Sequence, residues 1–164
     1  MIFLILYIAT IFAANWAIAT FGVVPVGFSL MAPAGVYFAG LAFTFRDLTQ
    51  ERLGRLPVVG AILIGAGLSA FVSPQFALAS GCAFLFSELA DFAIYTPLRE
   101  RGFLRAVFAS NVVGSILDSA LFLLLAFGTL EFFWGQVAGK MWVTLACLPI
   151  LWGVRGVVVD RLRA

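Results

Sequence analysis

The stretch "FLFSELADFAIYTPLRERG", residues 84–102, places two carboxylates inside an apolar run that ends in arginines. Glu88 lies eleven residues before Arg99, which is roughly 16 Å along an α-helix at about 1.5 Å per residue. An apolar segment of this length with arginines at its end is typical of a helix that crosses a membrane, whose hydrocarbon core is about 30 Å thick. Glu88 is therefore expected near the middle of the membrane, with Asp91 one helical turn closer to the arginines.

The composition of the whole chain agrees with a membrane location. Of the 164 residues, 63% are hydrophobic and 11% are charged, and the mean hydropathy is +1.12. A water-soluble surface cannot be built from so few polar side chains. The chain therefore predicts one domain, residues 1–164, of about six membrane-spanning helices in a lipid bilayer. The net charge of +2 is too small to indicate a nucleic-acid partner.

Apolar runs and Gly/Pro punctuation define the predicted helices. These helices cover residues 2–21, 29–46, 57–72, 76–97, 105–127 and 131–153. Between them are predicted the turn "GVVPVG" at residues 22–27, the polar loop "RDLTQERLGRLP" at 46–57 and the turn "SPQ" at 73–75. The first segment has no basic region before its apolar run, so it is expected to be a retained helix. The predicted fold class is an all-α polytopic membrane protein.

The basic residues predict the orientation, because cytoplasmic loops retain Lys and Arg. Nine of the ten fall in alternate predicted connections: Arg46, Arg52 and Arg55; Arg99, Arg101 and Arg105; and Arg155, Arg161 and Arg163. Both termini are therefore expected in the cytoplasm, and the membrane is expected to be the cytoplasmic (inner) membrane. Asp47 and Glu51 lie among the first three arginines, where a solvated, self-neutralising loop is the expectation.

Several predicted helices carry a stripe of polar residues along one face. The stripes are Glu88 with Asp91; Asn111, Ser115 and Asp118; and Gln136 with Lys140. Spacings of three, four and seven place side chains on one side of a helix. A charge at the centre of a membrane costs at least about 2.5–3.5 kcal/mol, so the stripes are expected to line one central cavity. Three acids against one lysine would leave two negative charges, so one carboxyl is expected to be protonated or to meet a donating ligand.

The simpler alternatives for these residues are structural. Glu88, Asp118 and Lys140 could form a buried ion pair, and Asp91 could pair with an arginine near the membrane interface. The amides and hydroxyls could be hydrogen bonds between helices. In the first helix, Asn15 and Trp16 suit edge-reading and stacking of a flat ring, although core packing of the indole is an equal alternative.

Three weaker features complete the pattern. Ala9, Ala13 and Ala17 form a small-residue stripe suited to helix packing. The segments "FTFRDL" at residues 43–48 and "FLFSEL" at 84–89 share a short pattern, too brief to claim a duplication. The two cysteines, Cys82 and Cys147, lie in apolar segments without a neighbouring histidine and are expected to be small packing residues.

Motifs of catalysis are missing from the sequence. There is no histidine, no Gly-x-Ser-x-Gly nucleophile elbow and no phosphate-binding loop. A hydrolase, a metalloenzyme and an ATPase therefore have little support. The expectation is a protein that is not an enzyme, has no cofactor or metal, and holds a solute site between its helices.

Five segments together resemble the putative vitamin uptake and queuosine precursor transporter family. They are "ANW", "FTFRDLTQERLGR", "ELADFAIYTPLRER", "ASNVVGSILDSALFLLLAF" and "GQVAGKMW". The resemblance covers nearly the whole chain, and the matching positions are Asn15, Asp47, Asp91, Asn111, Ser115, Asp118 and Lys140. It implies a six-helix membrane protein that takes up a 7-deazaguanine base, the precursor of a modified guanosine of tRNA.

The chemistry of the residues is compatible with that implication. A 7-deazaguanine presents an N1 proton and a 2-amino group as two parallel donors, which match the two oxygens of a carboxylate such as Asp118 or Glu88. Lys140 is expected to serve as counter-charge and carbonyl partner, and Asn15 and Asn111 as orienting amides. Aromatic faces can enclose the ring.

Other functions stay open at this stage. The chain could be the substrate-binding subunit of an energy-coupling vitamin transporter complex, or a lipid-modifying membrane enzyme. A homo-oligomer and an energy-coupling partner are both compatible with the sequence.

Overall fold

The computed structural model describes residues 2–72 and 77–159, which form six α-helices and one β-hairpin. The helices are α1 Ile2–Phe21, α2 Val36–Leu53, α3 Arg55–Val72, α4 Ala77–Leu98, α5 Phe103–Phe127 and α6 Phe133–Val159, and the strands are β1 Val23–Gly27 and β2 Leu30–Pro33. A single 3₁₀ turn, Arg99–Arg101, follows α4. The predicted all-α fold with six helices is confirmed. The predicted turn at residues 73–75 lies outside the described residues.

Three segments of the described chain are long and apolar enough to cross a membrane. They are Ile2–Phe21, Leu78–Arg101 and Phe103–Phe127. Arg55–Phe71 is a shorter apolar helix. Their outward surfaces carry large hydrophobic side chains such as Ile5, Leu63 and Phe86, each more than half exposed in the isolated chain. Such surfaces suit contact with lipid.

The predicted turn at residues 22–27 is wrong, because these residues begin a β-hairpin. Strands β1 and β2 pair antiparallel, with Gly27 opposite Leu30. The two residues between them, Phe28 and Ser29, have φ angles of 52° and 60°, as a two-residue hairpin turn with primed geometry requires. Glycine or asparagine usually occupies such positions, so the turn residues give no sequence signal for the hairpin.

The hairpin is seated on the first half of α6. The indole Nε1 of Trp142 donates to the carbonyl of Val26 at 2.8 Å, and the ring of Phe28 stacks on the same indole with centroids 5.8 Å apart. Gly135 lies against the backbone of Met31 so closely that a Cβ would collide with it. The close approach therefore requires glycine at position 135.

Helix α2 runs through the centre of the bundle, seven residues later than predicted. Residues 29–46 were the predicted span, whereas the helix begins at Val36 and ends at Leu53. It contacts all five other helices, and eleven of its 18 residues are buried. The predicted loop at residues 46–57 is therefore wrong: most of it is the second half of α2, and the chain passes through Gly54 directly into α3.

The exposed arginines of two connections lie at the same end of the bundle. Arg99 pairs with Glu51 of α2, and Arg55 lies 3.8 Å from Glu100. The hairpin follows α1 and precedes α2, so it lies at the opposite end. This arrangement suits the predicted orientation with the arginine end in the cytoplasm, which remains a prediction.

The orientation can be tested by cysteine labelling in intact cells. After Cys82 and Cys147 are changed to Ser, single cysteines are introduced by Arg52→Cys, Arg101→Cys and Glu131→Cys, all at exposed positions. We expect a membrane-impermeant maleimide to label position 131 from outside. Positions 52 and 101 should react only after permeabilisation. Labelling of position 52 in intact cells would reverse the predicted orientation.

Candidate functional site

A fully buried arginine on α2 organises one cluster of acids. The Nη2 atom of Arg46 lies 2.9 Å from Oδ1 of Asp47 and 2.7 Å from Oδ2 of Asp91, and its Nε lies 3.4 Å from Oε2 of Glu88. Its Nη1 donates to Oε1 of Gln50 at 3.3 Å. All four charged side chains are at most 1% exposed. The predicted placement of Arg46 in a cytoplasmic loop is therefore wrong.

This cluster, Arg46 with Asp47, Glu88 and Asp91, binds α2 to α4. A guanidinium has five N–H donors in a planar fork, so it can serve several carboxylates at once. The ring of Tyr95 lies 5.4 Å from Arg46 Cζ and adds a cation–π contact. Removing charges from water is costly, so each member depends on its partners to remain buried.

Glu51 forms a second buried contact between α2 and α4, near the arginine end. The hydroxyl of Tyr95 donates to Glu51 Oε1 at 2.6 Å. Arg99 donates to both carboxylate oxygens, through Nη2 at 2.8 Å and through Nε. The expectation of a solvated loop is wrong for Asp47 and for Glu51, because the continued helix turns both side chains toward α4.

Lys140 and Asp118 form a third charged contact, between α6 and α5. Lys140 Nζ lies 2.6 Å from Oδ2 of Asp118 and donates to Ser119 at 2.8 Å and to Gln136 at 3.1 Å. An ammonium has three N–H donors, so these three partners use all of them. Lys140 is fully buried, whereas Asp118 is 18% exposed.

A cavity of about 120 Å³ lies between the six helices. Its polar walls include Asn15 of α1, Glu88 of α4, Asp118 of α5, and Gln136 and Lys140 of α6. Four phenylalanine side chains contribute to its apolar walls: Phe38, Phe43, Phe84 and Phe122. It is smaller than the roughly 300–1,000 Å³ of pockets for drug-sized ligands, so it suits a small molecule.

The structure brings five of the nine predicted site residues to this cavity, namely Asn15, Glu88, Asp118, Gln136 and Lys140. Asp91 lies in the Arg46 cluster instead, as the arginine-pairing alternative had it, although the partner comes from α2. The expectation that buried charges avoid lipid agrees with the burial of Glu88 and Lys140 and with the position of Asp118 in the cavity wall, where it pairs with Lys140.

The other predicted residues lie away from the cavity lining. Asn111 donates to Thr144 at 3.0 Å and to Thr44 at 3.4 Å, and so joins α5 to α6 and α2. Ser115 is fully buried, and its hydroxyl has no hydrogen-bond partner among the described residues. Trp16 is 58% exposed on the outside of α1 and contacts Phe21 edge-on. One residue advances a helix by about 100°, which separates Trp16 from Asn15.

The small-residue stripe of α1 does not form one continuous face either. Ala17 is buried, Ala13 is partly buried and Ala9 is exposed. A four-residue repeat drifts around an α-helix of 3.6 residues per turn, so the three alanines meet different surroundings.

Arg46 is the principal residue that the sequence interpretation missed. The segment after it, "DLTQERL", contains good helix formers, and Arg46 with Gln50 and Asp47 with Glu51 have the four-residue spacing of one helix face. The short pattern shared by residues 43–48 and 84–89 was a second signal. Its corresponding positions Asp47 and Glu88 both contact Arg46, and Phe43 and Phe84 both line the cavity.

These features together define a helical membrane protein with a largely apolar cavity between its helices, into which a few polar and charged side chains point. A family model described as "Putative vitamin uptake transporter" matches residues 70–154, just over half of the chain. The chain therefore belongs to this transporter family. The matched part contains Glu88, Asp118, Gln136 and Lys140, whereas Asn15 and Arg46 precede it. Searches of curated proteins and of solved structures found no match.

The Arg46 cluster predicts a large difference between two arginine substitutions. Arg46→Met would leave three buried carboxyl groups without their cation, which should cost about 3–5 kcal/mol of folding stability. Arg55→Met is the control, because Arg55 is 61% exposed and its contact with Glu100 is long. Surface changes of this kind stay within about 0.5 kcal/mol.

The measurement is thermal unfolding of the detergent-purified variants, followed by the fraction that elutes as a single species in size-exclusion chromatography. Arg46→Met should unfold at a much lower temperature than Arg55→Met. Equal unfolding temperatures would show that the cluster does not stabilise the bundle.

Proposed function

We propose that this transporter takes up a queuosine precursor, a 7-deazaguanine base, across the cytoplasmic membrane. The observation that carries the proposal is the Asp118–Lys140 pair in the wall of a small cavity that phenylalanine rings also line. A flat base needs both features, because its faces are apolar and its edge is a row of hydrogen-bonding groups.

Asp118 is the best candidate to read the guanine-like edge. It is 18% exposed, whereas Glu88 is 1% exposed and is held toward Arg46. An ionised carboxylate offers two acceptor oxygens, which match the N1 proton and the 2-amino group of the base. Lys140 lies at hydrogen-bond distance from one of these oxygens and supplies the compensating positive charge.

Gln136 is better placed than Lys140 to meet the carbonyl of the base. The three N–H donors of Lys140 are directed to Asp118, Ser119 and Gln136. Because Gln136 accepts through Oε1, its Nε2 amide group is left to donate. Lys140 thus acts by orienting Asp118 and Gln136, and the base contacts those two side chains.

The experiment is titration of purified protein with two matched ligands. We expect heat of binding with 7-deazaguanine and much weaker binding with 7-deazaadenine, whose edge lacks the two parallel donors. Asp118→Asn replaces one acceptor oxygen by a donor and should weaken 7-deazaguanine binding by about 1.5–3 kcal/mol, which is roughly 10- to 150-fold.

The exposed Glu100→Gln change is the control for that variant and should leave binding unchanged, since Glu100 is 72% exposed. Equal affinity for the two ligands would contradict edge-reading by Asp118. In cells, a strain unable to make the precursor should recover modified tRNA when it expresses this protein and is fed the base. No recovery would contradict the proposed substrate.

Lys140→Met separates a binding role from a structural one. The substitution keeps the length of the side chain and removes the charge that holds Asp118 in place. We expect 7-deazaguanine binding to weaken by about 1.5–3 kcal/mol, while the protein still elutes as a folded species. An aggregated variant would support the structural ion pair instead, and unchanged binding would show that Lys140 serves neither role.

A further inference from the structure

The Arg46 cluster contains more acid than its arginine can neutralise. Three carboxyl groups surround one guanidinium, and all are at most 1% exposed. If every carboxyl were ionised, the cluster would carry two net negative charges on side chains that are almost fully buried. Arg46 already contacts all three acids, so its guanidinium, rather than a bound metal cation, occupies the position between them. A proton is the simplest species that can remove the remaining charge.

Asp47 and Asp91 each have a buried oxygen without a hydrogen-bond partner among the described residues. The two differ in their surroundings, because the Ser110 hydroxyl faces Asp91, whereas the one close contact of Asp47 is with Arg46. The Oδ1 atom of Asp47 faces Arg46, whereas its Oδ2 is buried and has no hydrogen-bond partner among the described residues. The groups that face Asp47 are Arg46 and Glu51 from α2, and Glu88, Asp91 and Tyr95 from α4. Asp47 does not line the cavity, so a change there leaves the cavity wall intact.

Glu88 connects this cluster to the cavity. Its carboxylate lines the cavity and also contacts Arg46. Two further groups face Glu88: the hydroxyl of Tyr7 on α1, and Asp118 on α5. Tyr7 is fully buried, and its hydroxyl faces the carboxyl group of Glu88. A protonatable side chain and a buried hydroxyl therefore lie between the cavity and Arg46.

Beyond Asp47, buried polar groups continue toward the arginine end. Glu51 lies one turn further along α2, about 6 Å away by helical rise. It lines a recess together with Gln50, Gly54, Arg55 and Arg99. Titratable groups thus extend from the cavity through Glu88, Arg46 and Asp47 to the recess at Glu51.

We propose that Asp47 binds and releases a proton in each transport cycle, so that uptake of the base is coupled to proton influx. This rests on the proposed function. The proton reaches the carboxylate of Asp47 from the cavity side through Glu88, forms a neutral carboxylic acid, and leaves through the recess at Glu51. One proton per base would allow up to about tenfold accumulation for each pH unit across the membrane.

The test uses the purified full-length chain in vesicles of phosphatidylethanolamine and phosphatidylglycerol, with tritiated 7-deazaguanine. Vesicles loaded with unlabelled base should exchange it for external label without a gradient. With an acidic exterior, wild-type vesicles should concentrate the label. Asp47→Asn should exchange label at a rate comparable to wild type and should gain nothing from the pH gradient. Glu100→Gln is the matched acid-to-amide control and should keep the response.

The outcomes separate the two proposals. Absence of exchange by the wild type would overturn the proposed substrate itself. Exchange that does not respond to the pH gradient, or an Asp47→Asn protein that still concentrates label, would overturn proton coupling alone. If Asp47→Asn does not fold, the wild type decides the question: adding base outside should acidify the lumen, reported by a trapped pH-sensitive dye. No acidification would overturn the coupling.

Discussion

The buried guanidinium of Arg46 is the constraint on which the arrangement of the bundle depends. A permanently charged side chain cannot face lipid, and α2 is not among the segments of the described residues that are long and apolar enough to span a membrane. The helix therefore has to lie inside the bundle, where it contacts all the other helices. Its acidic partners come from α2 itself and from α4. The more apolar helices then surround α2 and provide the surface that meets lipid.

Three charged contacts between helices lie at different positions along the bundle, and they differ in whether they border the cavity. Lys140 and Asp118 join α6 to α5 at the cavity wall. The Arg46 cluster joins α2 to α4 away from the cavity, except at Glu88. Glu51 and Arg99 join the same two helices at the arginine end, where Arg99 is 40% exposed. At the other end the hairpin is seated on α6, and Pro33 reaches the cavity. Glu88 is thus the side chain shared by the cavity and the charge cluster.

The sequence predicted those parts of the fold that depend on one helix at a time. Helix α1 has the predicted bounds, and α5 begins only two residues earlier than expected, because long apolar runs have clear ends. Polar stripes likewise placed Glu88, Asp118 and Lys140 away from lipid. Helix α2 was misplaced because its charged half resembles a cytoplasmic loop, and only tertiary contacts reveal that Arg46 is neutralised inside the bundle. The hairpin was missed because Phe28 and Ser29 adopt positive φ angles that their residue types rarely signal.

The Lys140–Asp118 pair and the Arg46 cluster differ in net charge. This difference bears on whether the buried charges serve only to stabilise the fold. The charges of Lys140 and Asp118 cancel. Replacing such a pair by two apolar side chains of similar volume often leaves the folding stability unchanged. The charges of the Arg46 cluster are not balanced, because one guanidinium meets three carboxyl groups. Asp47 and Asp91 both contact its Nη2 atom, and Glu88 contacts its Nε atom. A single acid would satisfy the arginine at lower desolvation cost, so the additional carboxyls do not improve stability. The proposed change in charge during transport would account for them. Asp47 fits that role because its one close contact is with Arg46, whereas the Ser110 hydroxyl also faces Asp91 and the Tyr7 hydroxyl also faces Glu88.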